Sequence, residues 1–443
     1  MIEDDLVATF AAALRLPPLP VAFTGESPLA SAFAVSQFAS AAVAVAGAAA
    51  SSLSDDPAPV TVDRGLAAAW FASALAPVGW ELPSPWDSVA GDYATADGWI
   101  RLHTNAPRHK AVALRVLGVA PDREAVAAAV AAWSGDELEH AVVSAGGCAA
   151  VMRSSDEWAR HPQGRAVATE PLVSWSNGEV AAVRENWRPT PERPLAGLRV
   201  LDLTRVIAGP VATRFLASLG ADVLRVDPPD WDEPAIVPDM TLGKRTTRID
   251  ATTTVGRDAL ERLIAHSDVL VHGYRPGALD DIVSPDRRRD LRPGLVEVSL
   301  DAYGWRGPWS DRRGFDSLVQ MSSGIADAGM RWAQAEKPTP LPVQALDHAT
   351  GYLAAAAAIV AVGRMRREGV SSSARLSLAR TALELPVAGQ RSLSLSKGEP
   401  HPSTRIATPW GDTDLLRSPL TIGDLSFTYE RGPADLGSDE PRW

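Results

Sequence analysis

Between residues 198 and 229 the chain runs strand, helix, strand, and this alternation limits the fold more than any other feature. Residues 198–203 (LRVLDL) read as a buried strand, and 209–219 carry helical apolar spacing up to Gly220, a natural stop. Residues 221–226 (ADVLRV) form a second strand, ended by Pro228-Pro229. An amphipathic helix over 256–265 follows, with further strand candidates at 267–271 and 295–300. Short apolar strands separated by single helices give a parallel sheet. The expected fold class is α/β, a doubly wound parallel sheet whose ligands sit at the carboxyl ends of its strands.

The first 190 residues read differently. Pro and charge cluster at 188–196 (RPTPERPLA) and mark a boundary. Before it, 29–50 and 65–77 are Ala-rich helices, followed by a compact α+β stretch with a strand at 98–102 and helices near 122–133 and 136–145. One internal echo stands out. Residues 39–47 (ASAAVAVAG) superimpose on 355–363 (AAAAIVAVG), and the same register lays 60–68 (VTVDRGLAA) on 376–384 (LSLARTALE). It pairs Arg64 with Arg380 and Ser31 with Asp347, so the first copy would lack that carboxylate. Two unrelated Ala-rich helices, each followed by a strand, would look much the same. The domains expected are therefore a helical segment over 1–84 (a degenerate repeat of 345–390), a small α+β domain over 85–190, and a large domain with its tail over 195–443.

Composition excludes several functions. A formal charge of −11 argues against nucleic acid as a partner. The acidic start MIEDDLVATF does not resemble a signal peptide, and the apolar stretch 29–50 carries Ser31, Ser36, Gln37 and Ser40, which suits a buried helix better than a membrane span. The expected location is the cytoplasm. Cys148 is the single cysteine and reads as a buried thiol, and the eight histidines show no metal-ligand spacing. No metal site is expected. Gly-rich dinucleotide, phosphate-loop, G-x-S-x-G and H-E-x-x-H signatures are all missing.

What remains is a set of segments read together. LRVLDLTRVIAGPVATRFLASLGADVLRVDPP (198–229), GKRTTRIDA (243–251), SDVLVHGYRPGALDD (267–281), GWRGPWSDRRGFDSLVQMSSG (304–324) and VQALDHATGYLAAAAAI (343–359) resemble the family III CoA-transferases, the formyl-CoA and carnitine CoA-transferase group, in order and spacing. DYATADGWIRL (92–102) and RSSDEWARHPQGRAV (153–167) resemble that family's small domain, which here precedes the large one instead of following it. The resemblance implies a Rossmann-like CoA-binding domain with a smaller α+β domain. It makes Asp347 the nucleophile that attacks a thioester, giving an aspartyl mixed anhydride and then an aspartyl–CoA thioester. Position alone would favour Asp347 as a cap of the helix that follows, and it is the resemblance that makes it the nucleophile.

For CoA the resemblance points to Val206, Ile207 and Ala208, to Lys244 and Arg245, and to Tyr274 and Arg275. Cations suit its phosphates and a ring can stack on adenine. The implied partners are an acyl-CoA and a carboxylic acid acceptor, with no tightly bound cofactor, in a homodimer or a heteromer. Two other readings are open. An α-methylacyl-CoA racemase needs a His–Asp pair at the substrate's α-carbon, but Phe315 stands where that His would be. A non-catalytic subunit of a heteromer would need no nucleophile at all.

Overall fold

The computed structural model describes residues 2–26, 29–181, 187–388 and 401–443. The first half of the chain supplies strands β1 (Val21–Thr24), β2 (Val60–Asp63), β3 (Leu75–Pro77), β4 (Gly91–Ala94), β5 (Trp99–Leu102), β6 (Ala149–Val151) and β7 (Ser174–Val180). The second supplies β8 (Arg199–Leu203), β9 (Asp222–Asp227), β10 (Arg245–Arg248), β11 (Val269–His272), β12 (Val296–Asp301), β13 (Val370–Ser377), β14 (Ser403–Thr408), β15 (Gly411–Leu416), β16 (Leu420–Ile422) and β17 (Leu425–Ser426).

Apolar runs too short for helices become the middle of a seven-stranded sheet, ordered β10-β9-β8-β11-β12-β13-β7. Every neighbouring pair is parallel except β13 with β7. The four strands expected from the sequence, β8, β9, β11 and β12, all lie in this sheet. Strand β11 is buried along its whole length, as a strand covered on both faces must be. The order reverses between β8 and β11, which makes the crevice outside their carboxyl ends the natural ligand site.

The helix Ala345–Glu368 begins two residues before Asp347, which therefore lies inside its first turn rather than ahead of it. It is apolar and long enough to cross a bilayer, yet its apolar stretch is wholly buried in protein. It packs against the helices Val35–Ser51 and Ala208–Ser218. Alanine and glycine permit that close approach. A Cβ on Gly351 would come within 2.4 Å of the Ala208 carbonyl oxygen.

Residues 1–84 hold β1, β2 and β3 as well as helices, so the segment is not purely helical. Strands β4, β5 and β6 form a three-stranded sheet whose helices bury their own small core around Val89, Ile100 and Leu138. Strand β7 leaves that unit and closes the edge of the large sheet against β13. The chain's end goes the other way. Hairpin β14–β15 adds to β3, and β16 adds to β2 in a sheet ordered β1-β2-β16-β17.

Candidate active site

A cavity of about 340 Å³ opens outside the carboxyl ends of β8, β11 and β12. One wall is the turn Val206–Ala208, which leads from β8 into the helix Ala208–Ser218. Val206 sits there at φ 66°, a conformation that a β-branched residue adopts only under constraint. Its N–H donates to Glu233 Oε1 at 2.7 Å. Gly209 follows because a Cβ at that position would lie 2.2 Å from the Thr204 Cβ.

Asp347 forms part of the cavity wall and is only 6% exposed. Being four residues before Gly351, it projects from the same helix face, the face that meets residue 208. Its own N–H donates to Asp316 Oδ2 at 2.9 Å. Asp316 in turn accepts from Gln320 Nε2 at 2.5 Å, and Gln320 Oε1 accepts from the Leu341 N–H. No described residue donates to the Asp347 carboxylate, so it does not cap its helix. Burial, and then the charge of Asp316, hold Asp347 well above the usual carboxylate range. Burial also pushes Asp316 up to about 6, against the hydrogen bonds from Gln320 and from the Asp347 and Leu346 N–H groups. A carboxylate this poorly solvated is a reactive oxygen nucleophile once ionised.

The facing walls are cationic. Arg275 follows β11, Arg313 precedes the helix Asp316–Ser322, and Arg108 comes from the small domain's helix Pro107–Leu117. Among the described residues neither Arg108 nor Arg313 has an acidic partner, and Arg275 donates only to the Asp311 carbonyl at 3.5 Å. Burial and the like charges of Arg275 and Arg108 push the Arg313 guanidinium down from its ordinary value. Three neighbouring arginines without carboxylate partners among the described residues suit an anion.

The small domain adds His109, which stands 3.7 Å from the Cys148 Sγ through Nε2. Burial, then Arg108 and Arg313, lower its imidazole to about 4, so it is neutral. Burial pushes the Cys148 thiol up to about 12, which makes it a poor nucleophile. His103 stacks on Phe315 with ring centroids 3.7 Å apart. Arg312 joins the loop to the domain through Glu139 at 3.0 Å. Among the described residues no group of three His, Cys, Asp or Glu side chains could hold a metal.

Of the residues singled out from the sequence, Asp347, Val206, Ile207, Ala208, Tyr274 and Arg275 all line this cavity. Lys244 and Arg245 do not, which corrects the expectation that they grip phosphates. Lys244 is fully buried and donates to Asp202 Oδ2 and to the Pro210 carbonyl, both at 2.9 Å. Burial lowers its ammonium to about 8 although Asp202 opposes the shift. Arg245 opens the edge strand β10 level with Leu224, mid-sheet rather than at the carboxyl ends. It faces Asp222 and Asp439 and bonds the Arg442 carbonyl of the chain's tail. Arg205 lies over the Tyr274 ring at 5.5 Å and over that of Trp231 at 5.1 Å.

Sequence reasoning missed Arg205, Trp231 and Arg313, although Arg205 and Arg313 stand inside the motif segments. Arg108 and His109 carried no signal, because only folding brings the small domain to the large sheet.

Residues 195–407 match the family described as CoA-transferase family III. A probable fatty acyl-CoA transferase of Mycobacterium tuberculosis is 32% identical over 210 residues, 44% of this chain and 53% of that protein. The formyl-CoA:oxalate CoA-transferase of Streptomyces avermitilis is 31% identical over 207 residues, 44% of this chain and 50% of that one. The succinyl-CoA–D-citramalate CoA-transferase of Chloroflexus aurantiacus is 30% identical over 193 residues, 40% and 48% of the two chains. A solved Mycobacterium tuberculosis structure shares 32% identity over 44% of this chain and 57% of that one, with a TM-score of 0.40. The chain spans about half the length of these curated relatives. Over residues 195–407, just under half of its length, the chain is thus similar to CoA-transferase family III.

Proposed function

We propose that the protein transfers CoA from an acyl-CoA thioester to a carboxylic acid, with Asp347 as the nucleophile. One observation carries this reading: an undercoordinated, buried Asp347 carboxylate shares a cavity with Arg108, Arg275 and Arg313. The arginines suit the phosphates of CoA, and the carboxylate suits its thioester. The ionised Asp347 oxygen attacks the thioester carbonyl, the C–S bond breaks, and CoA leaves as thiolate. The thiolate then attacks the aspartyl carbonyl of the mixed anhydride, releasing the donor acid and leaving an aspartyl–CoA thioester. The acceptor carboxylate attacks that thioester and expels CoA thiolate again. The thiolate returns to the acceptor's acyl carbon, which yields the new acyl-CoA and restores Asp347. Burial of Asp347 keeps water from the anhydride. Incubation with paired acyl-CoAs and carboxylates tests the reading: new acyl-CoA should form with wild-type protein and not with Asp347→Ala. Failure of every donor–acceptor pair would reject it.

A second reading, proton exchange at the acyl α-carbon, draws on His109. The sequence offers only Phe315 at the expected imidazole position, yet the small domain brings His109 to the same cavity, with Nδ1 unpartnered. Deuterium entering the α-carbon of an acyl-CoA in heavy water, lost in His109→Gln, would favour it over transfer.

A further inference from the structure

Two three-stranded motifs in this chain match residue for residue. In one, β1 runs parallel to β2 with Val21, Ala22, Phe23 and Thr24 opposite Val60, Thr61, Val62 and Asp63. In the other, β12 runs parallel to β13 with Val298, Ser299, Leu300 and Asp301 opposite Ala374, Arg375, Leu376 and Ser377. Each pair is joined by a crossover that includes a buried Ala-rich helix, Val35–Ser51 or Ala345–Glu368. Each second strand ends on a side chain that caps the next short helix, Asp63 accepting from the Leu66 N–H and Ser377 from the Arg380 N–H. The equivalence of Asp63 with Ser377 places Arg64 on Leu378, two residues from the pairing that the sequence alone suggests.

The third strand of each motif is antiparallel and comes from the other half of the chain. Strand β16, near the C-terminus, sets Ile422 opposite Val60 and Thr421 opposite Thr61. Strand β7, from the first half, sets Trp175 opposite Ala374 and Ser174 opposite Arg375. The register is the same in both. The halves also meet where the two long helices end, since Arg366 and Arg367 donate to the Leu53 and Ser52 carbonyls.

We infer that the chain holds two copies of one α/β unit that exchange strands, with the small domain in the first and the β8–β11 sheet in the second, so that a single chain holds one complete site and needs no partner. The first copy holds the small domain between Trp70 and Ser174, and among the described residues no sheet flanks β1 as the β8–β11 sheet flanks β12. The second keeps that sheet, while Ala382 to Ser403 leaves no room for a small domain. What survives is complementary: Arg108 and His109 come from the first copy, and Arg275, Arg313 and Asp347 from the second. The exchange also covers one side of each motif's second strand, because β7 pairs with β13 and β16 pairs with β2. The homodimer implied by family resemblance is replaced here by a pairing within one chain.

Light scattering on the full chain tests this without reference to activity. A mass of 46.9 kDa across micromolar concentrations supports it, and a stable two-chain particle overturns it. A second measurement mixes Arg108→Ala and Asp347→Ala chains, each defective in one wall, and refolds them together before assaying CoA transfer. Activity no higher than that of either variant alone is expected, whereas restored activity would show that walls from different chains meet and would overturn the inference. If wild-type protein transfers nothing, the proposed activity fails, and the light-scattering result still decides the architecture.

Discussion

Lys244→Met separates a structural cation from a phosphate ligand. Lys244 and Asp202 are both fully buried, and the ammonium has two acceptors, Asp202 and the Pro210 carbonyl. Removing one partner of a buried pair commonly costs 3–5 kcal/mol, roughly, because a charge is left without compensation. Asp202 would keep hydrogen bonds from the Thr204 N–H and hydroxyl and from the Thr213 hydroxyl, and Arg225 lies close enough to lower its pKa. The cost should therefore fall at the low end, about 3 kcal/mol, with methionine filling the lysine's volume. Urea unfolding followed by circular dichroism reads it directly. CoA affinity of the folded variant, measured by isothermal titration, should match wild type. Unchanged stability together with weakened CoA binding would refute the structural role.

Other expectations are more local. Alanine at Arg108, Arg275 or Arg313 should weaken CoA binding by about 1–3 kcal/mol each, as loss of a charge-assisted hydrogen bond does, and wild-type affinity in all three would remove the anion site. Val206→Gly should raise stability by about 1 kcal/mol, since relief of the left-handed strain exceeds the extra chain entropy of glycine; a lower melting temperature would contradict it. Asp347 has a raised folded-state pKa, so its contribution to stability is present below the unfolded pKa of about 4 and is lost as pH rises through the folded value. Asp347→Asn should therefore melt near wild type at about pH 4 and above wild type at about pH 8. Equal melting temperatures at both pH values would mean the carboxyl is not strained.

The parallel sheet is readable because β8, β9, β11 and β12 are apolar runs broken by glycine, proline and amphipathic helix. The β7 and β16 additions are not. Strand β7 is mostly exposed, and its partner β13 lies almost 200 residues away, so no local pattern announces either pairing. In the site, Asp347 and the turn at Val206 stand in recognisable segments, and the structure brings them together. Lys244 and Arg245 show how a basic pair in a motif can point to opposite fates, one into an interior ion pair and one toward the chain's tail. Position in sequence could not tell these apart, because the deciding partner Asp202 lies on another strand. Arg108 and His109 needed the docking of the small domain, held through Glu139 and Arg312.

The claim that Asp347 is the nucleophile has a direct test. Wild-type protein and Asp347→Asn are each incubated with an acyl-CoA and hydroxylamine, then digested and mapped by mass spectrometry. Asparagine keeps the shape of the side chain and removes the attacking oxygen charge. The account predicts a hydroxamate on the wild-type peptide at residue 347 and none anywhere in the variant, which should also lose transfer. A hydroxamate on another residue, or an Asn variant that turns over acyl-CoA at the wild-type rate, would contradict it.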